Sequence, residues 1–222
     1  MKKVIYLVIL LALINNPIAH AQKIRTLFYD EFLFGKVKMT SQTQYPVLHF
    51  EMQLKDTTWY DENGNTLEDH TRSPHGTLFA EKYINTSDSS GRKMQVIYNL
   101  KDQNLSMKFD SKGNLVERDS YLKNGSINFS AFYEYDARNN LISLRNVDKN
   151  PAYSWKRTYK YDKDDVRIAA DTWGPDGKLR YHTEFVYSNF DEKGNWKTRL
   201  AHDAYPNGKV EDQRTTRQIT YY

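Results

Sequence analysis

The chain has no cysteine. No disulfide can brace the fold, no thiol can act as nucleophile, and no cysteine is available for lipid attachment behind a leader. Proline is scarce, six in 222 residues, and no Pro- or Ser-rich stretch divides the chain into domains. Long apolar runs are missing too. The one unbroken run, Val4 to Ile14, falls well short of the ~20 residues that cross a hydrocarbon core. No dense Lys/Arg run occurs, which argues against a nucleic-acid partner, because phosphate recognition draws on clustered positive charge.

What stands at the N-terminus is a leader pattern. Lys2 and Lys3 precede the apolar run, Pro17 follows, and Ala19-His20-Ala21 places small residues where a signal peptidase cuts. The expected division is therefore a cleaved signal peptide, residues 1–21, and one mature domain, residues 22–222, with no transmembrane segment left after cleavage. The leader carries two of the 32 Lys and Arg and none of the acidic residues. The mature chain is left with 30 basic against 28 acidic groups, a balance near neutrality.

A recurring unit organises the chain from Trp59 onward: an aromatic residue, Asp, two polar residues, Gly and Asn. It reads Tyr60-Asp61-Glu62-Asn63-Gly64-Asn65, Phe109-Asp110-Ser111-Lys112-Gly113-Asn114 and Phe190-Asp191-Glu192-Lys193-Gly194-Asn195. Two copies, beginning at Tyr135 and Tyr161, replace the glycine by Asn139 and Asp165, residues that tolerate a left-handed backbone. Simpler turns lie between them at Asn124-Gly125, Asp176-Gly177 and Asn207-Gly208, pairs that close tight hairpins.

The intervals alternate with period two. Tyr153, Trp155, Tyr159 and Tyr161 share one side of a strand, as do Ile127, Phe129, Ala131, Tyr133 and Tyr135, and Leu179, Tyr181, Phe185 and Tyr187. Such rows give each strand one buried face. Arg157 and Thr183 interrupt them. Strand-rich segments also precede the repeats, in Thr26 to Met39 and Tyr45 to Leu54, and Gln218 to Tyr222 reads as a final strand. The expected fold class is all-β: an antiparallel meander of repeated hairpins forming a curved, open sheet with edge strands at its ends.

The aromatic-Asp-x-x-Gly-Asn unit, clearest at Phe109 to Leu115, Tyr135 to Leu141 and Phe190 to Trp196, resembles the tyrosine–aspartate (YD, or RHS) repeat. That resemblance implies a long winding antiparallel sheet of the kind found in bacterial surface and toxin-encapsulating proteins. The leader, the opening Gly35-Lys36-Val37-Lys38 and the YD-like turns together resemble small exported proteins of Bacteroidetes-type bacteria, a likeness that brings no assigned chemistry.

Candidate chemistry is sparse. His70 and His75 lie near Asp69, and His49, His182 and His202 are scattered, a spacing that matches no standard metal motif. No metal or cofactor is expected. The repeat aspartates invite comparison with the paired acids of glycoside hydrolysis, but recurrence at equivalent turn positions fits hydrogen bonding to turn amides better. No Gly-x-Ser-x-Gly elbow, phosphate loop or dinucleotide fingerprint occurs. No catalytic residue is therefore assigned, and no binding residue is fixed by sequence. Trp59, Trp155, Trp173 and Trp196 read mainly as core, with Trp173, beside Gly174-Pro175, as the best candidate for an exposed binding aromatic. The expectation is a non-catalytic periplasmic or surface-associated module that binds a protein or an envelope polymer. The alternatives are a glycan-acting hydrolase using turn-tip carboxylates, or an immunity-like or antitoxin-like partner protein.

Overall fold

The computed structural model describes residues 23–25, 32–46, 54–73, 78–87, 93–99 and 104–222. The expected signal peptide, residues 1–21, lies outside the described residues, as do His49 and His75. The fold class is as the sequence implied: an all-β antiparallel meander, whose described helical content is one 3-10 turn, Pro151–Tyr153.

A small hairpin comes first, β1 (Lys23–Arg25) with β2 (Phe32–Phe34). The main sheet then runs through β3 (Val37–Pro46), β4 (Leu54–Tyr60), β5 (Thr66–Arg72), β6 (Leu78–Ser87), β7 (Lys93–Asn99) and β8 (Asn104–Phe109). It continues through β9 (Leu115–Tyr121), β10 (Ile127–Tyr135), β11 (Leu141–Asp148) and β12 (Trp155–Tyr161). The last strands are β13 (Arg167–Trp173), β14 (Leu179–Phe190), β15 (Trp196–Ala204) and β16 (Val210–Tyr221). Each pairs antiparallel with its neighbours in sequence.

The first and last strands of the main sheet are neighbours. β16 pairs with β3 from Gln213↔Pro46 to Tyr221↔Val37, so the strand order comes full circle, as in a barrel. The physical reason is that the final strand is longer than its last five residues suggested. Its twelve residues meet the ten of β3, with one register shift between Thr220 and Tyr221. Among the described residues, the opening lies at β7 and β8, which share the single pair Tyr98↔Asn104.

An up-and-down meander puts alternate turns at opposite ends, and here that sorts the turns by chemistry. The five Asp turns join β4 to β5, β8 to β9, β10 to β11, β12 to β13 and β14 to β15, and so crowd one rim. The turns at Gly125, Gly177 and Gly208 lie at the other. At the Asp-turn rim, Leu33, Val37 and Tyr60 are buried together, with Ile219 and Tyr221 packed against them. Among the described residues, Thr40, Gln42, Asp56, Thr58 and Thr215 are also buried on the inward face.

Bulges sharpen the curvature beside the Asp turns. The register shifts between Trp59 and Tyr60, Lys108 and Phe109, Glu134 and Tyr135, and Lys160 and Tyr161. Each leaves one extra residue on the strand after the turn, the device by which antiparallel sheets bend and twist. Leu67, Ile142 and Ile168 at these positions are 42%, 39% and 44% exposed, which accounts for apolar residues lying on the outside.

Candidate functional site

The repeat aspartates are turn clamps. Asp136 Oδ1 accepts the backbone amides of Arg138 at 2.9 Å and Asn140 at 2.8 Å, while Oδ2 accepts the Asn140 side chain at 3.1 Å. Asp61 and Asp110 make the same three bonds within their own turns. The fourth residue of the turn has positive φ in every copy, 84° at Gly64 and 67° at Asn139, so the Gly-to-Asn/Asp exchange read from sequence preserves the backbone.

Burial pushes the carboxyls of Asp110 and Asp136 upward, but the hydrogen bonds from Asn114 and Asn140, with the amides of Lys112 and Arg138, outweigh it. Both are held below the usual carboxylate range. Asp191 is lowered in the same way, burial being outweighed first by the Tyr221 hydroxyl and then by the turn amides. A carboxylate so held stays ionised and fully engaged, the opposite of what a general acid requires.

Neighbouring turns are also tied to one another. Tyr135 donates its hydroxyl to Leu115 O at 2.8 Å, and Tyr161 donates to Leu141 O at 3.0 Å. Asn140 Nδ2 reaches Asp165 Oδ1 at 2.8 Å. Tyr222 closes the series, its hydroxyl on Tyr60 O at 2.6 Å. Sequence reasoning placed these tyrosines in the core and missed the hydroxyl's role; the signal was their spacing, Tyr135 to Tyr161, one full repeat.

The lumen is the site that sequence reading did not assemble. Arg157 and Thr183, which interrupt the apolar rows, face inward with them. Tyr181, Arg157, Tyr159, Arg167, Phe185, Arg199, Trp196 and Arg217 form a continuous alternation of ring and guanidinium, with Cζ-to-centroid distances from 3.6 to 5.9 Å. Stacking of this kind gives a guanidinium an aromatic face as a neighbour inside the protein.

Part of this wall encloses a cavity of about 330 Å3, whose lining includes Arg157, Arg167, Arg199, Tyr181, Phe185 and Asp203. Asp203 is 5% exposed and accepts Thr183 Oγ1 at 2.6 Å and Gln213 Nε2 at 3.3 Å. Arg157 Nη2 donates to Thr183 Oγ1 at 3.3 Å, and Arg199 Nη2 to Thr215 Oγ1 at 3.3 Å. Beside the cavity, Tyr205 stacks 5.5 Å from Tyr181. Its hydroxyl is pushed up to about 12 by burial and then by its hydrogen bond to Glu211.

The other candidates do not converge. His70 pairs with Glu68 at 2.6 Å and packs edge-on to Trp59; His182 pairs with Asp171 and His202 with Asp212. Among the described residues, no three His, Cys, Asp or Glu side chains are placed to hold a metal. Trp173 is half-buried at the end of β13, Trp196 is buried, and Trp155, 36% exposed, lines the lumen. The exposed aromatic is thus Trp155, within one of the rows, and not Trp173.

No family model matches the chain, and no curated protein matches it. Solved structures do. A porin-like protein from Bacteroides uniformis ATCC 8492 is similar over 83% of this chain and 98% of its own, with a TM-score of 0.54 and 9% identity. That likeness is one of fold. The TcdB2-TccC3-Cdc42 structure covers 73% of this chain over 9% of its own length, at 16% identity and a TM-score of 0.38, too slight a likeness to carry weight.

On β12, β14 and β16 the outward face carries charge. Lys156, Lys160, Arg180, Glu184 and Arg214 are exposed on the side of β12, β14 and β16 facing away from the lumen, where a bilayer demands an apolar band. Among the described residues, no helix is long and apolar enough to cross a membrane.

Proposed function

We propose that this chain is an exported, non-catalytic β-repeat module that binds a protein or envelope polymer, and that its lumen is the binding surface. The observation that carries the reading is a division of labour. The repeat acids, the one feature that suggested hydrolysis, are spent on holding turns, whereas the lumen keeps an arginine- and aromatic-lined cavity.

The repeated aromatic-Asp turn, with its clamp, its left-handed fourth residue and its tyrosine tie to the preceding hairpin, supports membership of the YD-type repeats. The leader pattern ending at Ala21 supports export to the periplasm or cell surface of a Gram-negative bacterium. A charged outer wall supports a barrel bathed in water on both faces, so the porin-like fold is read here as a scaffold and not as a membrane channel.

The test is crosslinking capture from native cell envelope with residues 22–222 as bait and an unrelated exported β-protein as control. The reading expects one specific protein or polymer retained by the wild type, and retained equally by folded Asp110→Asn and Asp136→Asn variants. Envelope polysaccharide cleaved by the wild type and spared by those variants would establish the hydrolase instead.

A further inference from the structure

The lumen cavity has a lining rich in guanidinium groups and rings. Three guanidinium groups, those of Arg157, Arg167 and Arg199, line it against one carboxylate, Asp203. That carboxylate is turned toward Thr183 and Gln213. All three arginines are partly buried, so their charges are neither hidden from the cavity nor fully in bulk water. Rings lie 5.1 to 5.8 Å from these guanidinium groups, and all three groups line the same confined space.

We infer that this cavity binds an anionic, ring-bearing ligand, its carboxylate or phosphate held by the lumen arginines and its ring laid against Tyr181, Phe185 or Trp155. This rests on the reading of the lumen as the binding surface and names the chemistry it selects. Both anions present oxygen pairs that match the guanidinium fork, so the fork favours either over a neutral sugar. The volume, about 330 Å3, is at the small end of ligand pockets, which suits a short acidic saccharide unit and excludes a folded partner. Within a polymer, such a unit would be the part that enters.

Asp203 then sets a selectivity of sign. It is the one lining group that repels an anion, and its removal should help. Gln44 and Gln213, joined Nε2 to Oε1 at 2.5 Å, extend the polar wall on the side of β3 and β16 and offer neutral partners for sugar hydroxyls.

The experiment is calorimetric titration of residues 22–222 with digalacturonate, glucose 6-phosphate and the neutral disaccharide cellobiose. Either anionic probe should bind, with affinity falling as salt rises, and cellobiose should not. Digalacturonate alone would mark a carboxylate source and glucose 6-phosphate alone a phosphate source. Arg157→Gln and Arg199→Gln should each weaken the anion by roughly tenfold or more, the loss expected of a charge-assisted contact, with the outer-face Arg180→Gln as control. Should those variants fail to fold, Asp203→Asn still decides: it keeps an acceptor for Thr183 and should tighten the anion severalfold. Binding of cellobiose as tight as that of the anions, or weaker anion binding in folded Asp203→Asn, overturns the inference. So does failure of both anions to bind at millimolar concentration. If the envelope capture succeeds while both anions fail, the binding module stands and only its ligand chemistry is overturned.

Discussion

Asp136 holds two backbone amides with one oxygen and an asparagine side chain with the other, which makes it a bridge across its whole turn. Removing it strands those donors. Asp136→Ala should cost about 1–3 kcal/mol, the range for leaving such groups unpaired, read as a shift in the urea midpoint at unchanged slope. The depressed pKa values of Asp110, Asp136 and Asp191 make the clamp pH-dependent. A carboxyl whose folded pKa lies below its unfolded value contributes stability that is fully present above the unfolded value, near 3.9, and is lost as pH falls through the folded one. Stability should therefore be flat in this contribution at neutral pH and decline below pH ~4, a decline reduced in the triple Asp→Asn variant. Gly113 isolates the backbone: its φ is 82°, and a Cβ added there would meet nothing within 4 Å. Gly113→Ala should cost about 1–2 kcal/mol through conformation alone, and Gly113→Asn less, as the natural Asn139 implies.

At the level of the hairpin, the rim ties make each element depend on the one before it. Tyr161→Phe removes only the hydroxyl that reaches Leu141 O and should cost about 1 kcal/mol, a typical net hydrogen bond. The β16–β3 ladder is the stronger tie, and the absence of cysteine allows a clean test. Thr43 and Thr216 are direct partners, so a Thr43→Cys, Thr216→Cys chain should oxidise to an intramolecular disulfide. Linking positions so far apart in sequence should raise stability by about 4–5 kcal/mol in the chain-entropy account. The mismatched pair Thr43→Cys, Gln218→Cys should not close. Strands, turns and their left-handed residues were legible in the sequence because each is fixed by a few neighbouring residues. The return of β16 to β3 was not, because partners this far apart leave no local pattern. The same limit hid the lumen. Arg157 and Thr183 look like interruptions in one strand's row, and only pairing β12 with β13 and β14 shows the guanidinium lying between Tyr159 and Tyr181.

For the whole molecule, the outer wall is charged, the rim is locked by repeated clamps, and the lumen carries a ring-and-guanidinium alternation with a small cavity. On this division the proposed binding site lies inside. Filling the lumen is the decisive perturbation: Ala201 is 7% exposed and lines the cavity, so Ala201→Phe occupies that space from a wall position. Envelope capture would be compared between wild type and an Ala201→Phe variant shown by circular dichroism and thermal midpoint to keep its fold. If binding is inside, the variant loses the specific partner while the outer-face variant Arg180→Gln retains it. Undiminished capture by the lumen-filled protein would contradict a luminal site and move the binding surface to the outer wall or rim.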